Sequence, residues 1–190
     1  AVHLLECIND ATWASSRKVE DKIRTKHEMW KQLCDIISKY PDDIVSVNVE
    51  LVLRSGIRSY PSEIADLWCA LAAYYVNMGQ FDKSFDIYEE GMENVCTVRD
   101  WNQIFDAYVS VCDEIVAAKM SAMEENQESD EDQLFTASDD LEMYIAKYEY
   151  LMERRPYLSN SVKLRQNPHN VHEWHKRTKL FATVLPNDKK

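Results

Sequence analysis

The chain has 190 residues, 45% of them apolar, with three Gly, five Pro, five Cys and a formal net charge of −11. That is enough apolar matter for a sizeable core and too little turn chemistry for an all-β fold, so the composition points to helices. No run of about 18 apolar residues is present and the opening AVHLLECINDATWASS lacks a basic stretch before an apolar one, so neither a membrane span nor a secretory signal is visible.

Without an initiating Met the chain reads as an excised or processed piece. Its acidity is local. Of 33 Asp and Glu, nine fall between Met120 and Ala146, where there is no Lys or Arg, which leaves 24 acids against 22 bases elsewhere. A nearly neutral body argues against electrostatic binding of nucleic acid over the whole surface. Cys7, Cys34, Cys69, Cys96 and Cys112 are odd in number, form no CxxC pair and sit among apolar residues, the pattern of reduced core thiols in an intracellular protein.

In chain order, residues 1–21 hold Leu4, Leu5, Ile8 and Trp13, one amphipathic helix ending a preceding unit. From Lys22 to Tyr40 the set Ile23, Met29, Trp30, Leu33, Ile36 and Ile37 has helical spacing, and Pro41 ends it. A second helix is expected to use Ile44, Val47, Leu51, Val52 and Ile57, with Gly56 near its end. Leu67, Leu71 and Tyr75, with Trp68 and Ala72 beside them, then form one stripe, Gly79 breaks it, and Phe81, Phe85 and Tyr88 begin another. Two helices joined by about four residues pack antiparallel, and so short a pair needs neighbours to bury both stripes. Trp101, Ile104, Phe105, Tyr108 and Val111 start a further helix, expected to run to about Met123. Residues 124–140, EENQESDEDQLFTASDD, read as a disordered acidic insertion, either a plain solvated loop or a target of acid-directed kinases at Ser129 and Ser138. Order is expected to return over 141–185: a stripe through Tyr144, Tyr148 and Leu151 up to Pro156, a shorter helix around Ser159 to Leu164, and another from about Val171 to Val184, before a tail at 186–190.

Trp30, Trp68, Trp101 and Trp174 are separated by 38, 33 and 73 residues, the last gap being about two periods of roughly 36. Aromatic anchors at one period predict an all-α solenoid of stacked antiparallel helix pairs, with Trp30, Trp68, Tyr75, Phe81, Tyr88, Trp101, Phe105, Tyr108 and Trp174 as repeat-defining core. Repeats then occupy 22–123 and, incompletely, 141–185.

The words LW…AAYYVNMGQFDKSFDIYEEG, TVRDWNQIFDAY, AAKM and SVKLRQNPHNVHEWHKR carry a resemblance across Met29 to Arg177. The first resembles the HAT (half-a-TPR) repeat. Together they are similar to the HAT-repeat splicing factors known as SYF-one in fungi and XPA-binding protein two in animals. The resemblance implies right-handed superhelical stacking and a nuclear, non-catalytic scaffold subunit of the Prp-nineteen-associated and intron-binding complexes of the spliceosome. Its implied partners are spliceosomal proteins, other HAT-repeat subunits among them, with RNA nearby and neither a membrane nor a small-molecule substrate; in animals a link to transcription-coupled DNA repair follows. The family offers no catalytic residue to carry over. Ser84-Phe85 stands where Ala-Arg is usual, and Gly91 stands where Ala is usual, which is expected to loosen that helix; the end, FATVLPNDKK, does not continue the pattern.

Two constellations need weighing. His169, His172 and His175 lie three apart, but His172-Glu173-Trp174-His175 is one residue short of HExxH and Pro168 sets His169 before the helix, so a metal site is not expected. Arg154, Arg155, Lys163, Arg165, Lys176 and Arg177, with Lys179, form a basic run that suits RNA phosphates, an acidic partner or the chain's own acidic insertion, against the plainer reading of a solvated face with structural ion pairs. No phosphate loop, GxSxG elbow or Cys/His nucleophile pair occurs, so neither an enzyme nor a cofactor is expected.

Overall fold

A computed structural model describes residues 26–39, 48–125 and 131–184. Among them are seven α-helices and no strand: α1 (Lys26–Lys39), α2 (Val49–Ser59), α3 (Ile64–Asn77), α4 (Phe81–Asn94), α5 (Val98–Glu125), α6 (Glu131–Gln166) and α7 (Val171–Val184), with a single 3₁₀ turn at Pro61–Glu63. None of the described helices is long and apolar enough to cross a membrane. The chain divides into two compact units between Gly91 and Met92, inside α4.

In the first unit α3 packs against both α1 and α2. Asn48 caps α2 by accepting a hydrogen bond from Leu51 N–H at 3.1 Å, and Pro61 opens the 3₁₀ turn, where its missing N–H costs nothing. The α3–α4 hairpin closes as the sequence leads one to expect. Gly79 takes φ 71°, its N–H bonds to Val76 O, and Gln80 N–H bonds to Tyr75 O, the paired bonds of a Schellman motif that satisfies the last carbonyls of α3. Trp30, Leu33 and Ile37 of α1, Val49 and Leu53 of α2, Leu67, Trp68 and Leu71 of α3, and Phe85 and Tyr88 of α4 are buried.

One expectation fails here. Leu51 is 67% exposed, and the inner stripe of α2 is Val49, Leu53 and Gly56, because the cap at Asn48 fixes a phase that turns Leu51 to the opposite side. Ile44 and Val47 lie outside the described residues. Gly91 has a packing role on α4: a Cβ there would stand 3.1 Å from the Trp68 indole, and one at Gly56 would stand 3.0 Å from the Trp30 ring, so each Gly lets a helix approach a tryptophan closely.

In the second unit α6 packs against α5 and α7. Thr97 caps α5, its hydroxyl oxygen accepting from Asp100 N–H at 3.1 Å and donating back to the Asp100 carboxylate. Trp101, Ile104, Phe105, Tyr108, Cys112 and Ile115 face inward from α5, and Leu151, Val162 and Leu164 from α6. The expected disorder over 124–140 does not hold where residues are described: 124 and 125 end α5, and 131–140 are the first turns of α6. Residues 126–130, and with them Ser129, lie outside the described set. The expected break at Pro156 is also absent, since α6 continues through it. A proline inside a helix costs about 3 kcal/mol; burial of Leu151 before it, and of Val162 and Leu164 after it, offsets that cost.

Candidate interaction surface

The repeat-defining residues divide by environment. Trp30, Trp68, Tyr88, Trp101, Phe105 and Tyr108 are buried, Tyr75 and Phe81 half-buried. Trp174 is 49% exposed and is not core. It sits one turn into α7, its indole N–H donating to Pro168 O at 2.8 Å, so the ring is held along the helix surface.

In the first unit, sequence reading missed a polar network. Arg54 on α2 spans both carboxylate oxygens of Glu90 on α4 at 2.7 and 2.8 Å, donates to Glu50 at 2.9 Å, and lies 5.8 Å over the Trp68 ring. Tyr75 donates its hydroxyl to the other Glu50 oxygen at 2.8 Å, and Lys83 stands 5.5 Å over the Tyr75 ring. The hydrogen bond from Arg54 holds the Glu50 carboxyl below its ordinary range, while burial, with the bond to Glu50 added, pushes Tyr75 up to about 12. The Glu50-Arg54 spacing of four was visible in the sequence; Glu90, 36 residues from Arg54, was not.

In the second unit most of the basic run has partners within the unit, although Arg155, Arg165 and Lys176 remain exposed. The Arg154 guanidinium lies 4.9 Å over Tyr150, that of Arg155 5.1 Å over Phe105, and Arg165 donates to Met92 O at 2.7 Å. Lys163 stands 3.7 Å from Glu173, and Arg177 donates to Ser161 Oγ at 3.2 Å while lying 5.7 Å over Phe181. Lys176 is exposed. Buried Asn160 gives its amide N–H groups to the backbone and carboxylate oxygens of Glu173, at 2.9 Å each, and this bond holds the Glu173 carboxyl below its ordinary range. Asn170 caps α7 through Glu173 N–H at 3.3 Å, so Glu173 is tied at both ends.

His169 falls in the turn before α7, and His172 and His175 are exposed on it. Among the described residues no three His, Cys, Asp or Glu side chains converge on a metal position. Cys34 and Cys112 are buried and Cys69 half-buried, burial pushing Cys69 up to about 12 and Cys112 up to about 11; Cys96 departs from the expected core thiols, being exposed. Ser138 is exposed on α6.

The described residues form packed helices, and comparison with known proteins agrees. The family described as "Pre-mRNA-splicing factor SYF1 middle HAT repeat" matches residues 1–189. Human pre-mRNA-splicing factor SYF1 is 42% identical over 180 residues, which is 95% of this chain and 20% of the human protein. The syf1 homologue of Drosophila melanogaster is 45% identical over 158 residues, 83% of this chain and 17% of that protein, and syf1 of Neurospora crassa 35% identical over 191, 96% and 22%. The chain thus spans about a fifth of the length of these relatives. Its helical pairs are HAT repeats, and the chain belongs to the SYF1 middle HAT-repeat family.

Proposed function

We propose that the chain is a non-catalytic scaffold segment of a nuclear pre-mRNA-splicing factor, acting through protein–protein contacts within the Prp-nineteen-associated and intron-binding complexes. The family match over residues 1–189 carries this reading. The fate of the basic run supports protein partners over RNA: Arg155, Arg165 and Arg177 are engaged with a ring, a carbonyl and a hydroxyl of their own unit. Packed helices present side chains in fixed register, so binding does not have to order the backbone at each encounter. A part in transcription-coupled DNA repair, in animals, and phosphorylation of Ser129 and Ser138 extend the proposal.

Affinity purification of the tagged protein from nuclear extract, with and without ribonuclease, tests it. Splicing proteins that remain after ribonuclease are the expected result. Their loss with the RNA would favour direct RNA contact through Arg154, Arg155, Lys163, Arg165, Lys176 and Arg177, and such contact would weaken steeply as salt is raised. Mass spectrometry of the cellular protein with both serines unmodified in every growth state would remove phosphorylation.

A further inference from the structure

We propose that the α5–α6 hairpin docks a basic amphipathic helix of a partner protein in an apolar furrow along one of its sides. The proposal rests on the protein-contact reading above and gives that contact a place and a chemistry. Lys119 reaches Asp140 at 3.2 Å and lies 5.0 Å over the Tyr144 ring, and Arg155 lies 5.1 Å over Phe105, so α5 and α6 run antiparallel in one register. That register brings Val109 level with Met152, Val116 with Ile145 and Met120 with Leu141.

On α5, Val109, Val116 and Met120 are spaced by seven and four residues; on α6, Leu141, Ile145, Tyr148 and Met152 are spaced by four, three and four. Each set therefore keeps to one stripe. At 3.6 residues per turn each stripe lies about a quarter turn round its helix from the inward face, marked by Tyr108 and Ile115 on α5 and by Tyr144 and Leu151 on α6, and in the same sense along the chain. In an antiparallel pair an equal turn in the same sense leads to the same side, so the stripes run beside each other. Met120 is 48% exposed, Ile145 and Met152 36% each, and the other members are half-buried. The furrow is open for about three helical turns, roughly 17 Å, which suits one docked helix.

Charge chooses the occupant. Asp106, Asp113 and Glu124 follow the outer edge of the α5 stripe, and Glu142 and Glu149 that of the α6 stripe; each is exposed and three or four residues from an apolar member. The cations within 106–124 and 138–152 are Lys119 and Lys147. Both are drawn to the Tyr144 ring, at 5.0 and 5.6 Å, and do not line the outer edges. A helix with Lys or Arg on both flanks of its apolar stripe meets furrow and edges together. An acidic helix, a second copy of this hairpin or an RNA phosphate would set like charge against like.

The test places the photoreactive residue p-benzoylphenylalanine at position 120 of the full chain as the cell makes it, irradiates it in nuclear extract, and maps the adduct by mass spectrometry. The expected adduct lies on another protein, in a segment with apolar residues at helical spacing and Lys or Arg beside them. Reversing charge with Asp113→Lys and Glu149→Lys is expected to cut its yield by about tenfold, while Asp113→Glu with Glu149→Asp preserves it. Both acids are exposed, and reversing them relieves repulsion within an acidic stretch, so the variants keep their fold. An adduct to RNA, to a segment of the same polypeptide or to an acidic segment overturns the proposal, as does a yield indifferent to charge reversal. No adduct, with splicing proteins still co-purifying after ribonuclease, overturns this docking face while leaving the scaffold function standing; loss of those proteins as well would overturn both.

Discussion

Ser84 is fully buried on α4 and its hydroxyl has no hydrogen-bond partner. Desolvating a hydroxyl without a partner costs about 1–3 kcal/mol, so Ser84→Ala is expected to stabilise the protein by about 1 kcal/mol, read as a higher urea midpoint at unchanged slope. A lower midpoint would mean that the hydroxyl is satisfied. The cysteines give a second test at this scale. A thiol reacts as thiolate, and burial holds Cys69 and Cys112 well above neutral pH, whereas Cys96 is exposed. Brief alkylation of the native protein at pH 8, followed peptide by peptide, should label Cys96 first among Cys34, Cys69, Cys96 and Cys112; equal labelling would contradict the burial. The sequence marked all of these as core thiols because their neighbours are apolar, but Cys96 follows the end of α4, where the helical phase that buries its neighbours no longer applies.

Between elements, close approach decides outcomes that propensity alone would reverse. Gly→Ala inside a helix ordinarily gains about 1 kcal/mol. At Gly91 the added Cβ would meet the Trp68 ring at 3.1 Å, and Trp68 is 3% exposed with Arg54 over it, so the ring cannot yield freely. Gly91→Ala is therefore expected to destabilise by about 1–2 kcal/mol by overpacking, with a lower midpoint of chemical unfolding; a raised midpoint would show that the indole moves. The α6–α7 contact has a pH signature. Because the folded Glu173 carboxyl is held below its ordinary value by Asn160, its stabilisation is fully present above the unfolded carboxyl value, about 4.3, and is lost as pH falls from there through the depressed folded value. Glu173→Gln should flatten that part of the acid limb and leave the dependence above pH 6 unchanged. The hairpin α3–α4 was legible because its signals are local: a stripe, a Gly with positive φ, a second stripe. The course of α6 was not, since the proline signal is local while the burial that overrides it comes from other helices. The Arg54–Glu90 pair and the Asn160–Glu173 bond likewise join residues whose nearness only packing creates.

For the whole molecule the sign of the charge is decisive. Nine acids without a base occupy 120–146, and helix is described on both flanks of 126–130, so like charges are carried on ordered backbone and not only in a loop. The composition of that stretch reads as repulsive and gave no sign of the helix described at 131–140, because Glu, Gln, Leu and Ala are also good helix formers. Attraction offsets little of it: the Lys119–Asp140 pair, at 3.2 Å, joins side chains 31% and 53% exposed, and exposed pairs contribute at most about 1 kcal/mol. Raising salt from about 0.01 to about 0.15 M shortens the screening length from about 30 to about 8 Å, which weakens the many long repulsions more than the few short contacts. The bidentate Arg54–Glu90 pair, in contact and partly buried, is least affected. Thermal unfolding of the purified chain should therefore shift upward with added sodium chloride, by roughly 2–4 °C for each kcal/mol of repulsion relieved in a chain of this size. A downward shift would mean that attractive pairs govern its stability, and that the −11 net charge is compensated locally in a way the described ion pairs do not reveal.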